Sequence, residues 1–204
     1  MKILHLLSSN SFSGAENVAC TIIKKLNKKY ECLYCSPKGE IRKTLEEKGI
    51  NYLPIKRVSY NEIVKAIDKF DPDIIHAHDY RASCYASLFS NNCRIISHIH
   101  GNRKEMHKKN IKSLLFRILS NRFSKIIWVS DSSLNDYAFK NKVRDKSIIL
   151  YNVVSKEEII KKSQEYKIKK EYDLIFLGRL IELKDPIRFI EIIKEIKGIK
   201  VAIV

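Results

Sequence analysis

The sequence predicts a doubly wound parallel α/β sheet, and three observations carry that expectation. Short apolar runs alternate with amphipathic helical stretches along almost the whole chain. The strand-like runs are continuously apolar, as strands covered on both faces require. Between two of them, Tyr80 to Phe89 is long enough for a crossover helix, which makes the flanking strands parallel.

Lys2 to Ser8 suits a buried first strand, and a polar turn, Ser8 to Gly14, leads into a helix from about Ala15 to Lys28. Its apolar face is Ala15, Val18, Ala19, Ile22, Ile23 and Leu26, at helical spacing. Strand Glu31–Cys35 passes through Pro37-Lys38-Gly39 to a helix, Glu40–Lys48, that Gly49 stops. Ile50–Ile55 is a third strand. Ser59 then caps a helix to Phe70, with Glu62 placed to complete a capping box. Ile74 and Ile75 begin a fourth strand that ends in His76-Ala77-His78. Arg94 to Ser97 is the fifth, ending in His98-Ile99-His100-Gly101.

A basic stretch, Arg103 to Lys112, precedes a helix through Leu114, Leu115, Ile118, Leu119 and Phe123. Lys125–Ser130 and Ser147–Tyr151 are further strands, separated by a helix, Asp131–Lys140, capped by Asp131 or Ser132. A polar segment, Ser155 to Glu171, follows. The alternation then restarts with strand Tyr172–Leu177, loop Gly178–Asp185, helix Pro186–Ile196 and strand Lys200–Val204. The expected organisation is a complete first domain, residues 1–165, and the truncated start of a second, 166–204.

The formal net charge of +16 comes from 39 basic and 23 acidic residues. Such an excess suits nucleic acid, anionic lipid or phosphorylated small molecules. Much of the Lys is interleaved with Ile along the chain, so only local clustering counts as a signal. A recognition motif or aromatic array for nucleic acid is lacking, and no specific nucleic-acid partner is expected. No apolar run approaches the ~18 residues of a membrane span. The N-terminus reads as a strand rather than a signal peptide, and the expected compartment is the cytoplasm. Five cysteines, an odd number, are expected to be reduced. Cys32 and Cys35 have redox spacing but fall within a strand, away from a helix N-terminus that would stabilise a thiolate.

Ligands of parallel α/β sheets collect beyond the carboxyl ends of the strands. His76, His78, His98 and His100 are all sent toward that edge. Residues two apart on a strand share a face, so a metal cluster is one reading of these histidines. No carboxylate or Cys stands in a zinc pattern beside them, however. The second reading is one or two catalytic or substrate-binding rings, and the third is structural side chains. His76 and His98 fit the structural reading; His100, beside Gly101 in the mouth of a loop, fits the functional one. At Ser13-Gly14-Ala15-Glu16, a helix N-terminus offers polarised N–H groups to a phosphate, and Gly14 admits close approach. G-x-G-x-x-G and a Walker lysine are both absent, which argues against NAD, FAD or a P-loop nucleotide. Asp71-Pro72-Asp73 looks like a metal-binding D-x-D but precedes its strand, and reads as a turn. Gly178-Arg179 and Lys184 set two cations after a strand end, where they could grip phosphate oxygens.

These motifs recur together. SGAEN after the first strand, DPDIIHAHDY, HIHG, VSDSS at Val129–Ser133, IILYNVV at Ile148–Val154 and FLGRLIELKDP at Phe176–Pro186 stand in family order. The chain thereby resembles the family 4 glycosyltransferases of the GT-B fold, retaining nucleotide-sugar enzymes of bacterial surface polysaccharide assembly. The resemblance implies a Rossmann-like N-terminal domain and a nucleotide-sugar-binding second domain. It implies that His100 stands beside the reacting sugar, with His78, Asp79 and Gly101 on the acceptor or substrate side. Gly14, Gly178, Arg179 and Lys184 would serve the donor diphosphate. The donor substrate would be a nucleotide-diphosphate sugar and the acceptor a glycan or a lipid-linked molecule, with no metal or other cofactor. Asn152-Val153-Val154 stands where the family usually has Asn-Gly-Val, and the glutamate pair that holds the donor would belong to a longer second domain.

Two further expectations follow. The basic residues Arg103, Lys104, Lys108, Lys109 and Lys112, next to an apolar stripe, could dock the chain peripherally on the anionic inner face of the cell membrane. As an alternative to an enzyme, the chain could be a non-catalytic acceptor-binding subunit paired with a separate chain that binds the donor.

Overall fold

Leu4, Leu6 and Leu7 are wholly buried, so the first apolar run does form a central strand. The structure, a computed structural model, describes residues 1–101, 103–152, 156–166 and 169–204. It divides into two units, Met1–Val153 and Val154–Val204. The Val153-Val154 departure from the family pattern lies outside the described residues.

The first unit runs β1 (Lys2–Leu6), α1 (Gly14–Leu26), β2 (Glu31–Pro37), α2 (Ile41–Glu47), β3 (Tyr52–Ile55), α3 (Tyr60–Phe70) and β4 (Ile74–Ala77). It continues with α4 (Tyr80–Ala86), β5 (Arg94–Ile99), α5 (Ile111–Leu119), β6 (Lys125–Trp128), α6 (Asp131–Asn135) and β7 (Ser147–Ile149). Sheet order is β3-β2-β1-β4-β5-β6-β7, and every pair is parallel. The doubly wound parallel sheet expected from the alternation is the one that forms. Strand order reverses between β1 and β4, which opens a crevice beyond their carboxyl ends.

The two-residue period of the strands sorts the core onto two faces. Ile3 and Leu7 join Ala19, Cys20 and Ile23 of α1 and Ile41 and Leu45 of α2 in one apolar cluster. Leu4, Leu6, Ile75, Ala77 and Ile95 join Ile63, Ala66, Ala82 and Phe116 in the other. His5 sits opposite His76 in the β1–β4 register, so both rings share the first face.

Several local expectations need correction. Glu62 does not close a capping box with Ser59; its Oε2 accepts the backbone N–H of Lys56 at 2.7 Å and ties the preceding loop to α3. The box forms instead at α1, where the Glu16 carboxylate accepts the N–H of Ser13 at 3.0 Å and also takes its hydroxyl. The α6 helix is shorter than its pattern and is capped by Ser130, whose Oγ accepts from the Ser133 N–H at 3.1 Å. The basic helix is capped by Asn110 and ends at Leu119, followed by a 3-10 turn over Ser120–Arg122. Cys32 and Cys35 are buried free thiols on β2, and burial pushes Cys35 up to about 12, far from a reactive thiolate.

Gly39 fixes the loop that follows β1. A side chain there would lie 2.6 Å from Asn10 Cβ, and the Asn10 carbonyl accepts the Ile41 N–H at 3.0 Å. The loop carrying Ser8, Ser9 and Ser13 is thereby held against α2.

The second unit comprises α7 (Lys156–Ser163), β8 (Leu174–Phe176), α8 (Pro186–Lys194) and β9 (Val201–Ile203), with β8 and β9 parallel. Asp185, at φ 52°, caps α8 by accepting the Arg188 N–H at 3.3 Å, and Pro186 follows in the first turn.

Phe116 joins α5 to the sheet. It is wholly buried, and its ring meets Tyr80, Phe123, Trp128 and Tyr137 at centroid distances of 5.5–6.3 Å. Phe116→Ala should lower unfolding free energy by about 3–5 kcal/mol in denaturant titration. A loss below about 1 kcal/mol would show that this aromatic cluster does not hold α5 in place.

Candidate functional site

Beyond the carboxyl ends of β1, β4 and β5 lies a pocket of about 440 Å³, in the crevice where strand order reverses. Ser8 and Ser9 after β1, His78 and Asp79 after β4, and His100 and Gly101 after β5 line it. Ser13, Ala15 and Glu16 supply the α1 end, and Tyr80, Arg103, Met106, Trp128 and Ser133 complete the wall. Most are placed by a strand end or a helix start, the sites a rigid sheet positions best.

Asp79 fastens three of these pieces together. Its Oδ1 accepts from the Ala82 N–H at 2.8 Å, capping α4, and from the Ser8 hydroxyl at 2.9 Å. Its Oδ2 accepts the Ser8 N–H at 2.8 Å. These bonds hold the β1 loop to the head of α4, so Asp79 builds the pocket wall with its carboxylate already engaged.

At the head of α1, nothing lies within 4 Å of where a Gly14 side chain would be, so that backbone faces open space. The buried Glu16 carboxylate occupies the same turn, and Arg103 is the cation on the wall. An anion docked here would meet N–H dipoles and Arg103, with Glu16 held back by its two bonds to Ser13.

Under the pocket lies a layer of imidazoles. His78 Nδ1 is 2.9 Å from His100 Nε2, and His78 Nε2 is 3.0 Å from His5 Nδ1. His76 Nε2 is 3.3 Å from His98 Nδ1. His76 stacks on His78 and His98 on His100, with ring centroids 4.1 and 4.0 Å apart, as same-face neighbours on a strand should. His5, His76, His78 and His98 are buried. Desolvation pulls His5 down to about 3 and His98 to about 2 from the ordinary 6.5, and His76 and His78 well below it. Each also feels the repulsion of its neighbours. Burial alone takes His100 down to about 4. The layer is neutral at physiological pH.

Two trios, His5-His76-His78 and His78-His98-His100, have ring nitrogens within 4.8 Å of one another. Neither trio fits an ion well, because the nearest nitrogens already face each other. The His78 and His100 rings lie within 14° of parallel at a centroid separation of 5.2 Å, and His76 and His98 within 8° at 5.3 Å. That is the arrangement of rings meeting nitrogen to nitrogen in an N–H···N bond, and it leaves no converging lone pairs for a metal.

The pocket thus brings together His78, Asp79, His100 and Gly101, with Gly14 at the same helix head. Gly178, Arg179 and Lys184 belong to the second unit, where the Lys184 stem passes 3.9 Å from the Cβ position of Gly178 and both cations are exposed. Asp71-Pro72-Asp73 is a turn at the opposite edge, where Asp73 Oδ2 accepts the Lys2 N–H at 2.7 Å. Arg103 moves from the basic stretch to the pocket wall. Lys104, Lys108, Lys109 and Lys112 are exposed beside α5. The apolar stripe expected there divides: Phe123 is buried and Leu119 packs on the core, while Ile111, Leu114, Leu115 and Ile118 face outward at 43–86% exposure.

Sequence reasoning missed His5 and Trp128, and it named Arg103 only among the docking residues. His5 was legible in principle: it is the one polar residue inside a buried apolar run, next to the strand carrying His76 and His78. Trp128 ends β6 one strand beyond His100, and only the sheet order brings it to the pocket.

A doubly wound sheet with a pocket at its switch point defines a class of ligand-binding α/β proteins. Within that class, residues 12–158 match the family model Glycosyltransferase Family 4, and the chain belongs to that family. It is 27% identical over 211 residues to the capsular polysaccharide biosynthesis glycosyltransferase CapH of Staphylococcus aureus, covering 97% of this chain and 58% of CapH. The fold is similar to that of Anabaena Alr3699/HepE in complex with UDP-glucose: TM-score 0.78, 20% identity, 100% of this chain and 59% of that one. A glycosyltransferase from Rickettsia africae ESF-5 is also similar, with TM-score 0.70, 16% identity, 99% of this chain and 59% of that one. The chain spans about three-fifths of the length of these relatives. Among the described residues, no helix is long and apolar enough to cross a membrane.

The imidazole layer sets an acid limit on stability. All five rings have folded pKa values below the ordinary 6.5, so the unfolded chain binds protons that the folded chain excludes. Their neutral-state stability is fully present above about pH 6.5 and is lost as pH falls toward the folded value of about 4 at His100. Each ring should withdraw about 2 kcal/mol by pH 5, on the order of 10 kcal/mol together. Circular dichroism should therefore show cooperative unfolding near pH 5. A chain still fully folded at pH 4 would contradict a neutral buried layer.

Proposed function

We propose that this chain is the acceptor-side part of an enzyme that transfers a sugar, with retention, from a nucleotide-diphosphate sugar to a surface-polysaccharide or lipid-linked acceptor. The observation that carries the reading is the switch-point pocket, with His100 and Gly101 in its wall. Membership of glycosyltransferase family 4 supports the reaction class. The capsular polysaccharide role of CapH supports the acceptor, and the UDP-glucose held by HepE supports the donor.

In this reading His100 stands beside the sugar or the acceptor in the pocket wall and acts as neither nucleophile nor base. The Gly14 turn and Arg103 would attract a donor's charged end to the first unit, and on the second unit Arg179 and Lys184 are the cations suited to a diphosphate. The reading assigns no role to a metal ion, since the D-x-D lies at the opposite edge of the sheet.

A second part of the reading concerns α5. Ile111, Leu114, Leu115 and Ile118 form an outward apolar stripe at i, i+3, i+4 and i+7, with Lys104, Lys108, Lys109 and Lys112 beside it. Among the described residues Lys112 alone of these has an ion-pair partner, Glu105 at 3.8 Å, which leaves the patch strongly positive. An anionic bilayer is the surface that complements both halves, and it would bring the pocket to a lipid-linked acceptor.

His100→Ala, made in the protein that carries this chain, should lower sugar transfer from a nucleotide sugar by roughly a hundredfold. Unchanged turnover would remove His100 from the reaction. The chain should sediment with vesicles containing anionic phospholipid, and Leu115→Asp with Ile118→Asp should abolish this while leaving the circular dichroism spectrum unchanged. Equal sedimentation with neutral vesicles would rule out the docking surface.

A further inference from the structure

We propose that His5, His78 and His100 form a single tautomeric unit, with the hydrogen on the same nitrogen of all three rings, and that His5 and His78 are positioning residues that fix the tautomer of His100. The inference deepens the reading of His100 given above and rests on it for its functional meaning.

The argument is one of counting hydrogens. A neutral imidazole has one N–H and one bare nitrogen. His78 touches a ring nitrogen at each end, His100 Nε2 at 2.9 Å and His5 Nδ1 at 3.0 Å. If His78 carries its hydrogen on Nδ1, it donates to His100 Nε2, so the His100 hydrogen must be on Nδ1. His78 Nε2 then accepts, so the His5 hydrogen is on Nδ1 as well. If His78 carries its hydrogen on Nε2, the same reasoning puts every hydrogen on Nε2. Any mixture sets two lone pairs or two N–H groups against each other at about 3 Å.

The two ends of the unit are alike. His5 Nε2 and His100 Nδ1 are both shielded and have no partner among the described residues. In either state one end carries an unpaired N–H, so the tautomer of His100 in the pocket wall is set jointly with that of His5 on the interior strand β1.

The test needs no substrate. With 15N-labelled histidine, long-range proton–nitrogen NMR correlations of this chain at pH 7.5 distinguish the two tautomers ring by ring. His5, His78 and His100 should all report the hydrogen on the same nitrogen. A mixture of tautomers among the three, or a cationic ring, overturns the proposal whether or not the protein transfers sugar. In the protein that carries this chain, His5→Leu should lower kcat about tenfold with KM little changed, while His5→Asn, which keeps a polar group near the Nδ1 position, should restore most of it. Equal loss in both variants would reduce His5 to packing and overturn its positioning role. A shared tautomer in a protein without transferase activity would leave the unit standing and defeat the functional reading alone.

Discussion

The hydrogen bonds that run from His5 through His78 to His100 cross three parallel strands in the interior. A buried imidazole is tolerated only if it stays neutral and its nitrogens are matched. Both conditions constrain the sheet. The register of β1 against β4 sets His5 beside His76, and the two-residue period then brings His78 and His100 onto the same face. A one-residue slip in β4 would turn its imidazoles to the other face, among Leu4, Leu6 and Phe116. The polar layer thus specifies register at the point where the strand order reverses and the pocket opens.

The pocket depends on that frame and on two ties around it. Asp79 binds the β1 loop to the head of α4, and Gly39 lets the same loop pack against α2. Carboxylate Glu16 is held by Ser13. The wall that faces a ligand is therefore built largely from groups whose hydrogen-bonding capacity is already engaged, with Arg103 as its adaptable part. This is the preorganisation that charge-stabilising sites need, since groups fixed in advance cost no reordering when a charged group binds.

Much of the fold was legible because buried parallel strands write themselves as continuous apolar runs, as in Ile74-Ile75 and Ile126-Ile127. Element ends were less legible. Asn110 and Ser130 outcompeted the expected caps, and Glu62 found the Lys56 N–H before that of Ser59. Such choices turn on loop geometry that propensity does not contain. The imidazoles at strand ends announced the site, since chemistry in these sheets lies beyond the carboxyl edge. His5 did not announce itself, because one polar ring in an apolar run gains meaning only when the neighbouring strand is known. Arg103 was grouped with the lysines by its position in the chain, yet the turn after β5 carries it to the pocket.

Proton uptake on unfolding tests the neutral imidazole layer most directly. When the chain is unfolded by denaturant at pH 5.5, the account predicts absorption of about 4 to 5 protons, one for nearly every ring of the layer. Absorption of one proton or fewer would mean that these histidines are already charged in the folded chain, and the layer beneath the pocket would not exist as described.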